Sequence, residues 1–168
     1  GFELLASYLS VTRKSGLAPQ GCKQPWDATR DSCHKSATMA PLLGWALLQN
    51  YRAAVAAGAT AEADARVRSA LPVVERALLW VLRHRRVHPT SPLLSWQSSS
   101  ESGMDNNPRF DAETLAAWGR SAERPPRMVA VDFSALAARD ARCIAMLHAA
   151  QRRPLERQHW QQIARNLS

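Results

Sequence analysis

The chain has 168 residues, 46% of them hydrophobic and 21% charged, a composition that supports a globular unit with its own core and excludes a disordered one. Its net charge of +8 comes almost wholly from arginine, 19 residues against 3 lysines; such a basic surface could attract nucleic acid or an acidic partner, but the arginines are scattered along the chain with no RNP, zinc-finger or basic-zipper pattern beside them, so nucleic-acid binding is not expected. No apolar run approaches the roughly 20 residues of a membrane span and the first residues carry no signal-peptide pattern, so neither a membrane segment nor a secretory leader is indicated.

Three cysteines, Cys22, Cys33 and Cys143, are too few for a disulfide scaffold and form no CxxC pair. A Cys22–Cys33 bridge across a loop and two free thiols both stay open, and the compartment cannot be read from them. In chain order, residues 2–13 read as the end of a helix, followed by a long loop rich in Gly, Pro and Ser, "KSGLAPQGCKQPWDATRDSCHKS". From about Ala40 to Ala57 the apolar set Leu43, Leu47, Tyr51 and Val55 recurs at i, i+4, which predicts a helix with Pro41 in its first turn and Gly58 closing its far end. Thr60 is then expected to cap a helix through "AEADARVRSAL", interrupted or kinked at Pro72 before "VVERALLWVLRHRR". The cluster "RHRR" at 83–86 falls where the C-terminal end of a helix dipole favours cations.

A loop of about 25 residues follows Val87, where compact domains use fewer than about 12 to 15. Helices are expected again at about 111–118, at about 133–150, and from Pro154 to near the end. The one β-rich scrap, "MVAVDF" at 128–133, is short and leads directly into a helix. The predicted fold class is all-α, a series of helical hairpins with one polar loop. Both ends have helical composition, so the chain reads as a piece of something longer.

The long loop contains "ESGMDNNPRFD" at 101–111, three carboxylates, two amides, an arginine, a glycine and a proline, with a net charge of −2 inside a chain of +8. A carboxylic acid can protonate a leaving oxygen while a second carboxylate activates water from the far side of the scissile bond. Amides and an arginine grip several hydroxyls at fixed angles, and glycine permits close backbone approach. That set suits a sugar. On composition alone the stretch fits better a solvent-facing loop in which Asp105 or Asn106 makes an Asx turn and Asp111 caps the next helix.

The stretch resembles the ESGMDNSPR signature of glycoside hydrolase family 63, the processing α-glucosidases or mannosyl-oligosaccharide glucosidases, and is similar to the ESGWDFSSRW of the related trehalases. "SATMAPLLGWALLQNYRAA" resembles the family's aliphatic, Trp-rich helix, "LPVVERALLWVLRHRR" the helix before the signature, and "MVAVDFSALAARDARCIAMLHAAQRRPLERQHWQQIARNL" its VDLNALLVREARALAELAELLG segment with the following helix. The resemblance implies an (α/α)6 barrel, six helical hairpins in two rings, of which residues 1–168 are a fragment of a single catalytic domain, about half. It implies inverting hydrolysis of O-glycosidic bonds, as in an α-glucosidase acting on an α-glucoside or oligosaccharide. It maps the general acid onto Asp105, and Glu101, Asn106 and Arg109 onto hydroxyl-binding or acid-positioning roles. Trp96 and Trp45 are candidate aromatic platforms, although the helical spacing of Trp45 suits a core residue.

The family's general base is a Glu well downstream of the signature and is not reached here, so the resemblance implies a fragment inactive alone, with the rest of the barrel as its partner and a carbohydrate as its substrate. Met39 stands at the position of a glutamine in the family's Gln-Pro-Pro, and Ser134 at that of the asparagine in VDLN, with Asp132 the polar match. No cofactor or metal is implied: His84 and His88, four apart, straddle a helix end without a third ligand, no GxSxG elbow surrounds Ser102, and the glycines form no phosphate cradle. The alternative from another class is a non-catalytic scaffold of helical hairpins for protein or nucleic-acid interaction, which predicts internal repeats at a period of about 34 to 47 residues; no such self-similarity is found.

Overall fold

The computed structural model describes residues 2–12, 14–19, 37–97, 99–102 and 129–168. The helices among them are α1 (Phe2–Val11), α2 (Leu43–Ala56), α3 (Thr60–His84), the single turn α4 (Ser99–Ser102), α5 (Val131–Ala150) and α6 (Pro154–Asn166). No strand forms among the described residues; there are two isolated bridges, Pro19 with Thr38 and Arg86 with Leu94. The expected helix at about 111–118 and both Cys22 and Cys33 lie outside the described residues, while Cys143 is a buried free thiol.

Helix α5 is the centre of the fold because its sequence is apolar on more than one face. Phe133, Ala137, Ala141, Ile144 and Leu147 are fully buried, and the run of small side chains lets neighbouring backbones come close. At the tightest contact, a Cβ added to Gly44 of α2 would lie 2.9 Å from Ile144 Cγ1 and 3.0 Å from the Asp140 carbonyl oxygen. Arg139 lies over the Trp45 ring and Arg52 reaches the Met146 sulfur, so the contacts advance seven residues along both helices in the same sense. Helices α2 and α5 are therefore parallel neighbours. Helices α3 and α6 return over them, and Glu75 of α3 joins this outer pair to the inner one by accepting from Trp160 Nε1 at 2.8 Å and bonding His148 Nε2 at 2.6 Å.

The reversals after α2 and α5 share one geometry. After α2, the Gly58 N–H bonds to the Val55 carbonyl and Ala59 N–H to Ala54, with Gly58 at φ 81°; after α5, Arg152 N–H bonds to Ala149 and Arg153 N–H to His148, with Arg152 at φ 55°. Both are Schellman caps, whose left-handed position glycine occupies without strain. Arginine at that position is strained by its Cβ. Arg152→Gly is expected to stabilise the protein by about 0.5 to 1 kcal/mol, part of the relieved strain being offset by glycine's freer unfolded chain; a denaturant midpoint that stays or falls would contradict this.

The helix over Thr60–His84 corrects two expectations. Pro72 does not interrupt it, because Val67, Leu71, Val74, Leu78 and Val81 form one buried stripe across the proline, and burying side chains of this size at about 1.5 to 3 kcal/mol each outweighs the roughly 3 kcal/mol cost of proline in a helix interior. Thr60 is the first helical residue, with Ala59 at the cap position and no side-chain cap bond. Likewise Pro41 precedes α2 instead of sitting in its first turn, and Val55, at the end of the predicted apolar face, is exposed.

Candidate functional site

Glu101, the first residue of the polar stretch, lies where the C-terminus of α3 meets the segment leading into α2 and the loop that runs on toward the start of α5. Arg85 ends α3, and its backbone carbonyl accepts the Ser95 N–H at 2.7 Å while the Val87 N–H bonds to Leu93. This tight return brings residues 94–97 back along the end of α3. Leu94 is then tied to α5: its carbonyl accepts the Ala130 N–H at 2.8 Å and its own N–H donates to Ser134 Oγ at 3.0 Å. Ser134, which stands where the resembled family carries asparagine, thus has a definite local job. It accepts the backbone bond that holds the loop to the helix start.

Trp96 follows. Its ring stacks on Phe133 with centroids 3.8 Å apart and planes 8° from parallel, and its indole N–H donates to Asp132 Oδ2 at 3.0 Å. Both rings are buried. One face and the polar edge of Trp96 are therefore engaged by α5, in contrast to the open face of an aromatic platform. Trp45 has the reverse fate: expected in the core from its spacing, it is 42% exposed, with the Arg139 guanidinium 5.2 Å from its ring centroid.

Glu101 lies in α4 and is buried, at 3% exposure. Its carboxylate accepts from Arg85 Nη2 at 2.7 Å and from Arg85 Nε at 3.0 Å on both oxygens. It also accepts the Thr38 N–H at 2.9 Å on Oε1 and the Gln97 N–H at 2.7 Å on Oε2. One side chain thereby joins the end of α3, the loop before the signature and the segment before α2. That last segment is itself anchored, since Thr38 Oγ1 donates to the Ala18 carbonyl at 2.9 Å and the Met39 N–H donates to the same oxygen at 3.2 Å. The Arg85 guanidinium packs 4.7 Å from the Trp80 ring centroid. Asp105, Asn106 and Arg109, the expected acid and two of its neighbours, lie outside the described residues, as does Asp111.

Arg85 is the residue that periodicity missed. In "RHRR" it looks like one more cation at a helix end, yet it is buried while Arg83, His84 and Arg86 around it are exposed. Only its partner, 16 residues along the chain, distinguishes it.

A second buried carboxylate, Asp140 of α5, faces the N-terminus of α2, where it accepts the Trp45 N–H at 2.8 Å and so satisfies one of the unpaired donors of a first helical turn. Burial pushes its pKa up to about 6, against the Trp45 and Gly44 N–H groups and Arg139, which pull it down. A folded-state pKa above the unfolded value favours folding when the group is protonated, so this contribution is full below about pH 4 and lost as pH rises through about 6. Asp140→Asn keeps an acceptor for Trp45 and removes the titration. Relative to the wild type, this variant is expected to gain on the order of 2 to 3 kcal/mol between pH 4 and pH 7; parallel urea curves at the two pH values check it, and an unchanged difference between the proteins would contradict it.

No protein-family model and no curated protein matches the chain. Solved structures do. A crystal structure described as a GH63 mannosylglycerate hydrolase from Thermus thermophilus in complex with glucose superimposes with a TM-score of 0.69 at 20% identity, covering 96% of this chain and 48% of that one. A second structure of that hydrolase, with Tris and D-glycerate, gives 0.66 at 19% identity over 96% and 51%. An uncharacterized conserved protein from the same organism gives 0.69 at 19% identity over 96% and 48%. The chain thus has the fold of family 63 hydrolase structures and spans about half their length, as a partial helical barrel does.

Proposed function

We propose that this chain is the general-acid half of a glycoside hydrolase barrel, with Asp105 as the acid and an α-glucoside or oligosaccharide as the substrate. The observation that carries the reading is the arrangement around Glu101. The first residue of the signature "ESGMDNNPRFD" is drawn into a buried, fully charge-paired hub at the ends of α3 and α4 and before α2, in a fold that matches family 63 hydrolases at a TM-score of 0.69. A solvent-facing capped loop needs no such hub.

In this reading Glu101 serves the acid by holding the loop, since its oxygens already accept from Arg85, Thr38 and Gln97. Asn106 and Arg109 supply amide and guanidinium donors to sugar hydroxyls. Trp96, held by Phe133 and Asp132, is a packing residue of the segment that leads into the loop, and the exposed ring of Trp45 is the aromatic surface open to a sugar in this reading. The complementary half of the barrel supplies the base, and its helices cover apolar groups left exposed here, among them Val131, Met146 and Leu155.

An inverting pair of carboxyl groups stands about 6.5 to 9.5 Å apart, leaving room for water on the face opposite the leaving group. The full-length protein containing this chain, given an α-glucoside, is therefore expected to release the β-anomer first. Proton NMR of the anomeric signals during the first turnovers tests this. Release of the α-anomer would replace the inverting mechanism with a retaining one, and no hydrolysis of any α-glycoside would remove the enzyme reading altogether.

A further inference from the structure

We propose that Arg85 is the positioning residue of this site, holding the start of the signature loop in register with the segment before α2 through Glu101 and touching no substrate itself. The inference deepens the glycosidase reading and rests on it for its kinetic part alone.

The geometry is that of a two-pronged clamp. Nε and Nη2 of Arg85 both reach the Glu101 carboxylate, at 3.0 and 2.7 Å. A planar guanidinium fixes the orientation of a carboxylate as well as its distance, which a lysine ammonium cannot do. The guanidinium is held in turn on its own side: Nη1 donates to the His84 carbonyl at 3.4 Å, and the group lies 4.7 Å from the Trp80 ring, itself stacked on His84. With the carboxylate oriented, its two oxygens are aimed at two different backbone donors, Thr38 on one and Gln97 on the other. Rotation of the carboxylate would cost both bonds together.

The consequence is that two segments 63 residues apart in sequence, the one that starts α2 and the one that enters residues 101–111, share one spacing set by Arg85. Chemistry by a loop-borne acid is sensitive to such spacing, because a misplacement of about 1 Å can cost on the order of a hundredfold in rate. Substrate binding spread over several hydroxyl contacts is far less sensitive.

The test uses the full-length protein with Arg85→Lys, which retains the charge and loses the planar clamp, and with the double variant Arg85→Met, Glu101→Gln, which removes both charges of the pair together and serves if the single variant folds poorly. The first measurement is amide hydrogen exchange at Thr38 and Gln97. Exchange at both is expected to rise about tenfold or more in either variant, while the amides of α5 around Ala141 stay as in the wild type; unchanged exchange at Thr38 and Gln97 would overturn the clamp. The second measurement is kcat and KM on an aryl α-glucoside. A fall of about 10- to 100-fold in kcat with KM within about twofold is expected. Faster exchange with unaltered kcat would make the pair a structural tie only and overturn the positioning role. A wild-type protein that hydrolyses no glycoside defeats the proposed activity instead, and the exchange result then decides by itself whether Arg85 holds the loop.

Discussion

Asp105→Asn in the full-length protein is expected to lower hydrolysis of an unactivated α-glucoside by about 10²- to 10⁴-fold, the usual worth of a positioned general acid, without loss of fold or of substrate binding. The reason is chemical. An alkoxide leaving group needs a proton as the bond breaks, and asparagine has none to give while filling the same space. A substrate whose leaving group departs without protonation, such as a glucosyl fluoride or a dinitrophenyl glucoside, should lose far less. The comparison of the two substrates is the measurement: equal and small losses on both would return residues 101–111 to the status of a capped turn. In the sequence, Glu101 and Asp111 favour the protonated form of Asp105 by like-charge repulsion, with Arg109 opposing. In the structure Arg85 stands directly against Glu101, so the guanidinium offsets the repulsion expected from that carboxylate.

Glu101→Ala is expected to destabilise the protein by about 3 to 5 kcal/mol, because it removes the carboxylate that the buried Arg85 guanidinium grips with two nitrogens. It also strips acceptors from the Thr38 and Gln97 N–H groups. The pair itself contributes much less than this relative to two neutral side chains, since burying both ions costs solvation that their attraction only partly returns. A double-mutant cycle separates the two quantities. Glu101→Ala and Arg85→Met made together should destabilise less than the sum of the single changes by about 1 to 3 kcal/mol; additive effects would mean that the two side chains do not interact in solution. The magnitude sets this site apart from the surface pair Glu62–Arg66, one turn apart on α3 and exposed, for which a few tenths of a kcal/mol is the expected scale.

The all-α class was legible because it depends on local periodicity. Leu43 and Leu47 of α2, and the apolar stripe that runs the length of α3, repeat at helical spacing whatever they pack against. Pro154 and Gly58 likewise marked a helix start and a helix end through backbone constraints that belong to the residue itself. The resemblance of residues 101–111 to a glycosidase signature was equally a property of the string, and the superposition on half of family 63 hydrolase structures agrees with the fold it implied.

Tertiary structure decided everything that turns on a partner distant in the chain. Proline at 72 is tolerated because the buried face of α3 continues on both sides of it, a compensation invisible within any short window. Of the two candidate platforms, Trp96 is buried because Phe133, 37 positions away, offers it a parallel ring, while Trp45, whose spacing suited the core, is half-exposed; helical spacing fixes which residues share a face but not which face is covered. Arg85 is the clearest instance. Its sequence surroundings are those of an exposed helix end, and its role arises only because the chain returns through Ser95 and sets Glu101 against it. Charge pairing of this kind depends on three-dimensional distance, which local composition does not encode.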